Sequence, residues 1–337
     1  MKKYLNIGAI GLGRLGKVYA VDLAHRVPNA NLIAVADQQA GLAQSFAKEY
    51  AVPKWYGNYQ DLIFDKEIEA IAVITPTNTH KEIVIEAAKN GKAIFCEKPI
   101  SISLPDAREI EQVITNTGVF FQMGFQRRFD KGYVEAMKKI EAGVIGEPVL
   151  LNSTSRDPFP PPLEFCDPAK SGGLIADMGI HDFDLARMFM GNVKSVYSVG
   201  GALAYPEMKS IGDIDNAIIN MYFENEKIGV VNLSRNAVFG YDIRTEIWGT
   251  KGSLQIGYFR ETPLLVMTQA GITHDVVPHF MERFENAYHT QIQDFVNNVL
   301  GDREPSIKAK DGVAALLVSL AATKSLHENR PVDIAEI

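Results

Sequence analysis

The stretch SGGLIADMGIHDFDLARMF carries Asp177, His181 and Asp184 at i, i+4 and i+7, a spacing that puts all three on one face of a helix. Core-facing helix stripes are ordinarily apolar, so three ionisable groups there need a reason. One is catalytic: a neutral His181 accepts a hydroxyl proton while Asp177 fixes its tautomer and stabilises the imidazolium. A metal site and an exposed polar face capped by Asp177 are the alternatives, and no metal is expected because no further Cys or His stands nearby. A second reactive pair is Glu97 and Lys98 in CEKP, where an apolar run stops and Pro99 forces a turn. A lysine at the carboxyl end of a buried strand can donate to a substrate hydroxyl and stabilise an alkoxide as it develops. A surface ion pair at a turn is the plainer reading of the same two residues.

These residues need a frame, and the first third of the chain supplies one by alternating two periods, the signature of strand and helix around a parallel sheet. Leu5–Ile10, Leu32–Ala36, Ala70–Ile74 and Ala93–Cys96 read as buried strands, with helices over Arg14–His25, Gln39–Tyr50 and Lys81–Asn90. Ser103 reads as an N-cap, with Asp106 in capping-box spacing and Pro105 in the first turn. GAIGLGRLG places Gly11, Gly13 and Gly16 in G-x-G-x-x-G spacing between the first strand and helix. One glycine makes the turn, one admits a pyrophosphate, one packs helix on strand, and Arg14 and Leu15 open a helix whose amides face the phosphates. Asp37 ends the second strand about 20 residues on, where a carboxylate accepts from an adenosine ribose; a turn-capping aspartate is the alternative. A carboxylate there repels a 2′-phosphate, and Gln38 and Gln39 bring no arginine, so NAD is favoured over NADP. Glu97 then either orients Lys98 or meets the nicotinamide ribose, and Thr75 to His80 (TPTNTH) lies at another strand end on the same side.

After about Gly124 the rhythm changes to apolar-polar alternation with short turns such as ENEK and TKG, as in antiparallel hairpins. Strands are expected through Val149–Ser155, Val193–Leu203, Asn216–Phe223, Ile228–Asn232, Arg244–Trp248 and Ser253–Ile256, and helices over Tyr133–Ala142, Leu174–Met190, Arg283–Val299 and Ala309–Glu328. The fold class is therefore α/β plus α+β: an N-terminal Rossmann dinucleotide-binding domain over 1–124, and a domain over 125–337 with a large, mostly antiparallel open sheet flanked by helices.

A net charge of -7 without a basic block argues against nucleic acid, and no stretch approaches the roughly 18 uncharged apolar residues of a membrane span. Small-molecule partners fit better. The two cysteines, Cys96 and Cys166, make no disulfide framework, so the cytoplasm is the expected compartment.

Together the glycine loop, EKP and GGLIADMGIHDFDLARMFMG resemble the glucose-fructose oxidoreductase, inositol dehydrogenase and rhizopine catabolism (Gfo/Idh/MocA) superfamily over essentially the whole chain. MGFQRRFDKGY, IGEPV, GYDIRTEIWG and YHTQIQDFV carry a closer likeness to bacterial inositol 2-dehydrogenases. The resemblance implies NAD-dependent oxidation of an inositol hydroxyl, with Lys98 on substrate and ribose after a cis Lys98–Pro99 bond, His181 as general base and Asp177 as its partner. It implies that Arg127, Asp157 and Tyr241 line a polyol pocket, that Thr75, Pro76, Asn78 and His80 lie beside the cofactor, and that the protein is a homotetramer. A dehydrogenase of another sugar and a catalytically silent sugar sensor on the same scaffold are the rivals.

Overall fold

Short apolar runs bounded by turn residues become six parallel strands in the first part of the chain. In the computed structural model, which describes residues 3–337, the elements run β1 (Leu5–Ile10), α1 (Arg14–His25), β2 (Ala30–Ala36), α2 (Ala40–Glu49), β3 (Lys54–Tyr56), α3 (Tyr59–Phe64), β4 (Ala70–Val73), α4 (His80–Lys89), β5 (Ala93–Glu97), α5 (Leu104–Thr117) and β6 (Phe121–Gly124). The sheet order is β3-β2-β1-β4-β5-β6, and every pair is parallel. Ile7, Ala72, Val73, Ile94 and Phe95 are wholly buried, as strands covered on both faces require. Each such large side chain stabilises by about 1.5–3 kcal/mol. Chain order reverses between β1 and β4, and ligands of open parallel sheets bind outside the strand ends at such a point. Ser103 caps α5 through its hydroxyl, which accepts from the Asp106 amide. The three-residue β3, half exposed, is too short to show a period in sequence.

The second part runs α6 (Lys131–Glu141), β7 (Pro148–Arg156), two single turns α7 (Leu163–Cys166) and α8 (Pro168–Ser171), α9 (Gly173–Asp177), α10 (Gly179–Met190), β8 (Val193–Gly201), β9 (Asn216–Phe223), β10 (Ile228–Ser234), β11 (Asp242–Gly249), β12 (Ser253–Ile256), the hairpin β13 (Val266–Thr268) and β14 (Gly271–Thr273), α11 (Phe280–Leu300), α12 (Ala309–Glu328) and β15 (Val332–Asp333). Its seven-stranded sheet has the order β12-β11-β7-β10-β9-β8-β15, antiparallel except where β10 meets β7. The alternation is clean: in β9, Ala217, Ile219, Met221 and Phe223 are buried while Ile218 and Tyr222 are exposed. The chain forms two compact units, the part up to Gln126 with Asn286–Ala314, and Arg127–Glu285 with Ala315–Ile337. A single boundary after Gly124 therefore misses the return of residues 286–314 to the first unit.

One expected element divides. The helix read over Leu174–Met190 breaks at Met178 into α9 and α10. At the restart the chain runs close to the sheet, since a Cβ on Gly179 would stand 3.0 Å from Leu233 Cδ1. Helix α10 packs on β7 and β10. In its first turn the fully buried Asp182 accepts from Arg127 Nη1 at 3.0 Å, from Ser153 Oγ at 2.6 Å and from Ser155 Oγ at 2.7 Å. Removing that carboxylate strands a buried guanidinium, so Asp182→Ala should cost about 3–5 kcal/mol. Thermal unfolding followed by circular dichroism will show a clearly lowered transition, whereas an unchanged one refutes the pinning role.

Candidate active site

The first unit brings the glycine loop and Asp37 together. Gly11 sits at φ +91, and a Cβ there would lie 2.4 Å from the Ile74 carbonyl, so only glycine makes the turn from β1. A Cβ on Gly16 would meet the Gly11 carbonyl at 2.1 Å, which is the close packing of α1 on the loop. Gly13 differs: a Cβ there would touch nothing within 4 Å, so the helix N-terminus opens on free space. That opening fits a dinucleotide pyrophosphate held by the amides of Gly13, Arg14 and Leu15. Asp37 receives the Leu12 amide on Oδ2 at 2.8 Å and the Gln39 amide on Oδ1 at 2.9 Å. It thus caps its turn and fastens the glycine loop to the end of β2. Each oxygen has a second lone pair with which to accept from a ribose.

At the end of β5 the adjacent acid and base divide. The Lys98–Pro99 bond is cis and Lys98 is half buried. Glu97, buried, turns inward: Oε1 accepts from the Tyr19 hydroxyl and from Gln291 Nε2 at 3.3 Å, and Oε2 accepts from the Lys98 backbone amide at 3.0 Å. Burial pushes the Glu97 carboxyl above its ordinary range, opposed by the Tyr19 bond and the Lys98 charge. Of the two readings of Glu97, orienting Lys98 or meeting a nicotinamide ribose, the bond to the lysine's backbone amide supports the first. His80 is 1% exposed, with Nδ1 2.9 Å from the Pro99 carbonyl and Nε2 3.0 Å from the Thr75 carbonyl, so its ring nitrogens face backbone within the fold. Pro76 and Asn78 are exposed on the same loop, and the Thr79 hydroxyl donates to Thr75 Oγ1 or the Pro76 carbonyl.

In the second unit Asp177 ends α9 and His181, mostly buried, lies in the first turn of α10. Asp177 pairs with Arg235, whose Nη2 stands 3.3 Å from Oδ2 and whose side chain is wholly buried. Asp184 does not join them in a metal set: it is buried in a two-point pair with Arg128, Nε to Oδ2 at 2.8 Å. Arg127 is buried too, pinned to Asp182. Burial drives the Tyr241 phenol well above its usual value, and the Asp157 charge adds to this while Arg127 opposes it. Arg127, Asp157 and Tyr241 thus share one electrostatic neighbourhood, with the Tyr241 ring edge-on to Phe284.

Sequence reasoning missed Asp182, Arg235, Tyr19 and Gln291. The signal for Arg235 is a charge directly after β10, whose inward residues Val231 and Leu233 are apolar. For Asp182 it is a second acid beside the histidine. Tyr19 and Gln291 stand 272 positions apart and leave no local trace.

Residues 5–125 match the family description "Oxidoreductase family, NAD-binding Rossmann fold" and residues 137–334 match "Oxidoreductase family, C-terminal alpha/beta domain" of Gfo/Idh/MocA proteins. Among known proteins, scyllo-inositol 2-dehydrogenase (NAD(+)) of Bacillus subtilis is 37% identical, over 99% of this chain and 97% of that protein. Myo-inositol 2-dehydrogenase of Thermotoga maritima is 38% identical, over 99% of both. A crystal structure of scyllo-inositol dehydrogenase from Lactobacillus casei, with bound NAD(H) and scyllo-inositol, superposes with a TM-score of 0.94 at 33% identity, covering 99% of this chain and 100% of that one. With its glycine loop, parallel sheet and second, mostly antiparallel sheet all in place, the chain belongs to the Gfo/Idh/MocA family of NAD-binding oxidoreductases.

Proposed function

We propose that this enzyme oxidises one ring hydroxyl of myo- or scyllo-inositol to the inosose ketone. The observation that carries the reading is the full-length likeness to inositol 2-dehydrogenases, one of them holding NAD(H) and scyllo-inositol. NAD, when bound, supplies the nicotinamide that accepts a hydride. The chain's own groups handle the proton and the oxygen. His181 accepts the hydroxyl proton, and Asp177, steadied by Arg235, sets the ring tautomer and stabilises the imidazolium. Lys98 donates to the substrate oxygen as its negative charge grows. Arg127, Asp157 and Tyr241 supply partners for the remaining hydroxyls, and a site rich in such partners rejects analogues that leave them unpaired. Asp37 favours the 2′-hydroxyl of NAD over a 2′-phosphate.

NADH formation with myo-inositol, scyllo-inositol, glucose and xylose at mildly alkaline pH tests the reading. An inositol should give the highest kcat/KM, with His181→Ala lowering kcat about 10²–10⁴-fold and Lys98→Ala about 10²–10³-fold. Preference for glucose or xylose would overturn the substrate, and a Lys98→Ala enzyme at the parent rate would remove Lys98 from the chemistry.

The same reading includes a cytoplasmic homotetramer assembled through the outer face of the second sheet. Supporting it, Val199, Ile218, Tyr222, Ile228 and Trp248 lie exposed on that one face, and both cysteines are free thiols, buried within the fold. Among the described residues no helix is long and apolar enough to cross a membrane. Sedimentation velocity should show a tetramer that Ile218→Asp with Tyr222→Asp converts to smaller species; a monomeric parent protein refutes the assembly.

A further inference from the structure

His80 presents a conflict that its neighbours cannot relieve. Both ring nitrogens stand at hydrogen-bond distance from backbone carbonyls, Nδ1 from Pro99 and Nε2 from Thr75, and a carbonyl oxygen only accepts. Two such bonds require an imidazolium. Yet the ring is 1% exposed and heads α4, where the positive end of the helix dipole opposes a cation. Burial lowers its affinity for a proton below the ordinary histidine value, against the pull of the two carbonyls. The neutral ring has a single N–H for two acceptors, so one carbonyl is held at a time.

The two carbonyls are not arbitrary. Thr75 follows β4 and Pro99 follows β5, neighbouring parallel strands paired Val73 to Cys96, so the ring spans two adjacent strand ends. One of these turns carries Lys98. We propose that His80 is a positioning residue that places the Lys98 turn through Nδ1–H and the Thr75 loop through Nε2–H, one proton serving both in alternate tautomers. This rests on the reading that Lys98 meets substrate and the Thr75 loop meets NAD.

Substitutions can freeze each tautomer. The Asn amide nitrogen occupies the place of Nδ1, and the Gln amide nitrogen that of Nε2. His80→Asn should keep the Pro99 bond, holding kcat near parent while raising the Kd for NAD several-fold, up to about tenfold, the equivalent of one hydrogen bond. His80→Gln should do the reverse, with Kd near parent and kcat lowered by up to roughly 10²-fold, the size of effect expected from a misplaced reacting group. His80→Leu should lose both. Quenching of protein fluorescence by NAD gives Kd without any turnover, and NADH formation on inositol gives kcat. Asn and Gln variants that match each other in both quantities overturn the clasp, as does a Leu variant within about twofold of parent in both. If the Leu variant does not fold, the Asn and Gln pair decides alone. If the parent turns over no inositol, the substrate reading fails, while the split in NAD affinity still tests the Thr75 arm.

Discussion

A buried charge must be matched where it lies, and this constraint fixes the elements that carry the candidate chemistry. Asp182 is wholly buried and receives a guanidinium and two serine hydroxyls, all from Arg127 and the inward face of β7. Helix α10 therefore has one seat on the sheet, and His181, the preceding residue, is placed with it. Arg235, equally buried, holds Asp177 at the end of α9. In the first unit Glu97 is enclosed by Tyr19 and Gln291 and grips the backbone of Lys98. Such pairs add little net stability when compared with apolar packing, but breaking one is costly. Their effect is to make alternative placements of the helix or turn expensive, which a reacting group needs more than it needs extra stability.

How much of this was legible follows from the range over which sequence patterns act. Period-two and period-3.6 runs are local, so the parallel strands, their helices and the second, alternating sheet could be read directly, as could the Ser103 cap. The glycine loop was legible because a tight turn and a close approach leave only glycine as a solution at Gly11 and Gly16. The pairing of charges was not. Arg127 and Asp182 are 55 positions apart, Arg235 and Asp177 are 58, and Gln291 and Glu97 are 194. Spacing of i+4 and i+7 placed Asp184 beside Asp177 and His181, but Arg128 takes Asp184 instead, and the break at Met178 interrupts the stripe. The resemblance implies that His80 lies beside the cofactor, and what sequence does not show is that its ring is buried between two backbone carbonyls.

The acid beside the base in CEKP and the histidine beside the acid in GIHDFD have one explanation. A side chain on a strand points opposite to its neighbour, and one on a helix points about a quarter turn away. Adjacent residues can therefore serve different surroundings: Glu97 and Asp182 go inward and are satisfied there, while Lys98 and His181 carry the oxygen and proton chemistry in the role proposed. Adjacency also makes the coupling short. A carboxylate that fastens its own neighbour's backbone, as Glu97 does at 3.0 Å, acts directly on the turn that carries the lysine. Turning the acid into the core costs the burial of a carboxyl, and Tyr19 and Gln291 are what make the burial tolerable.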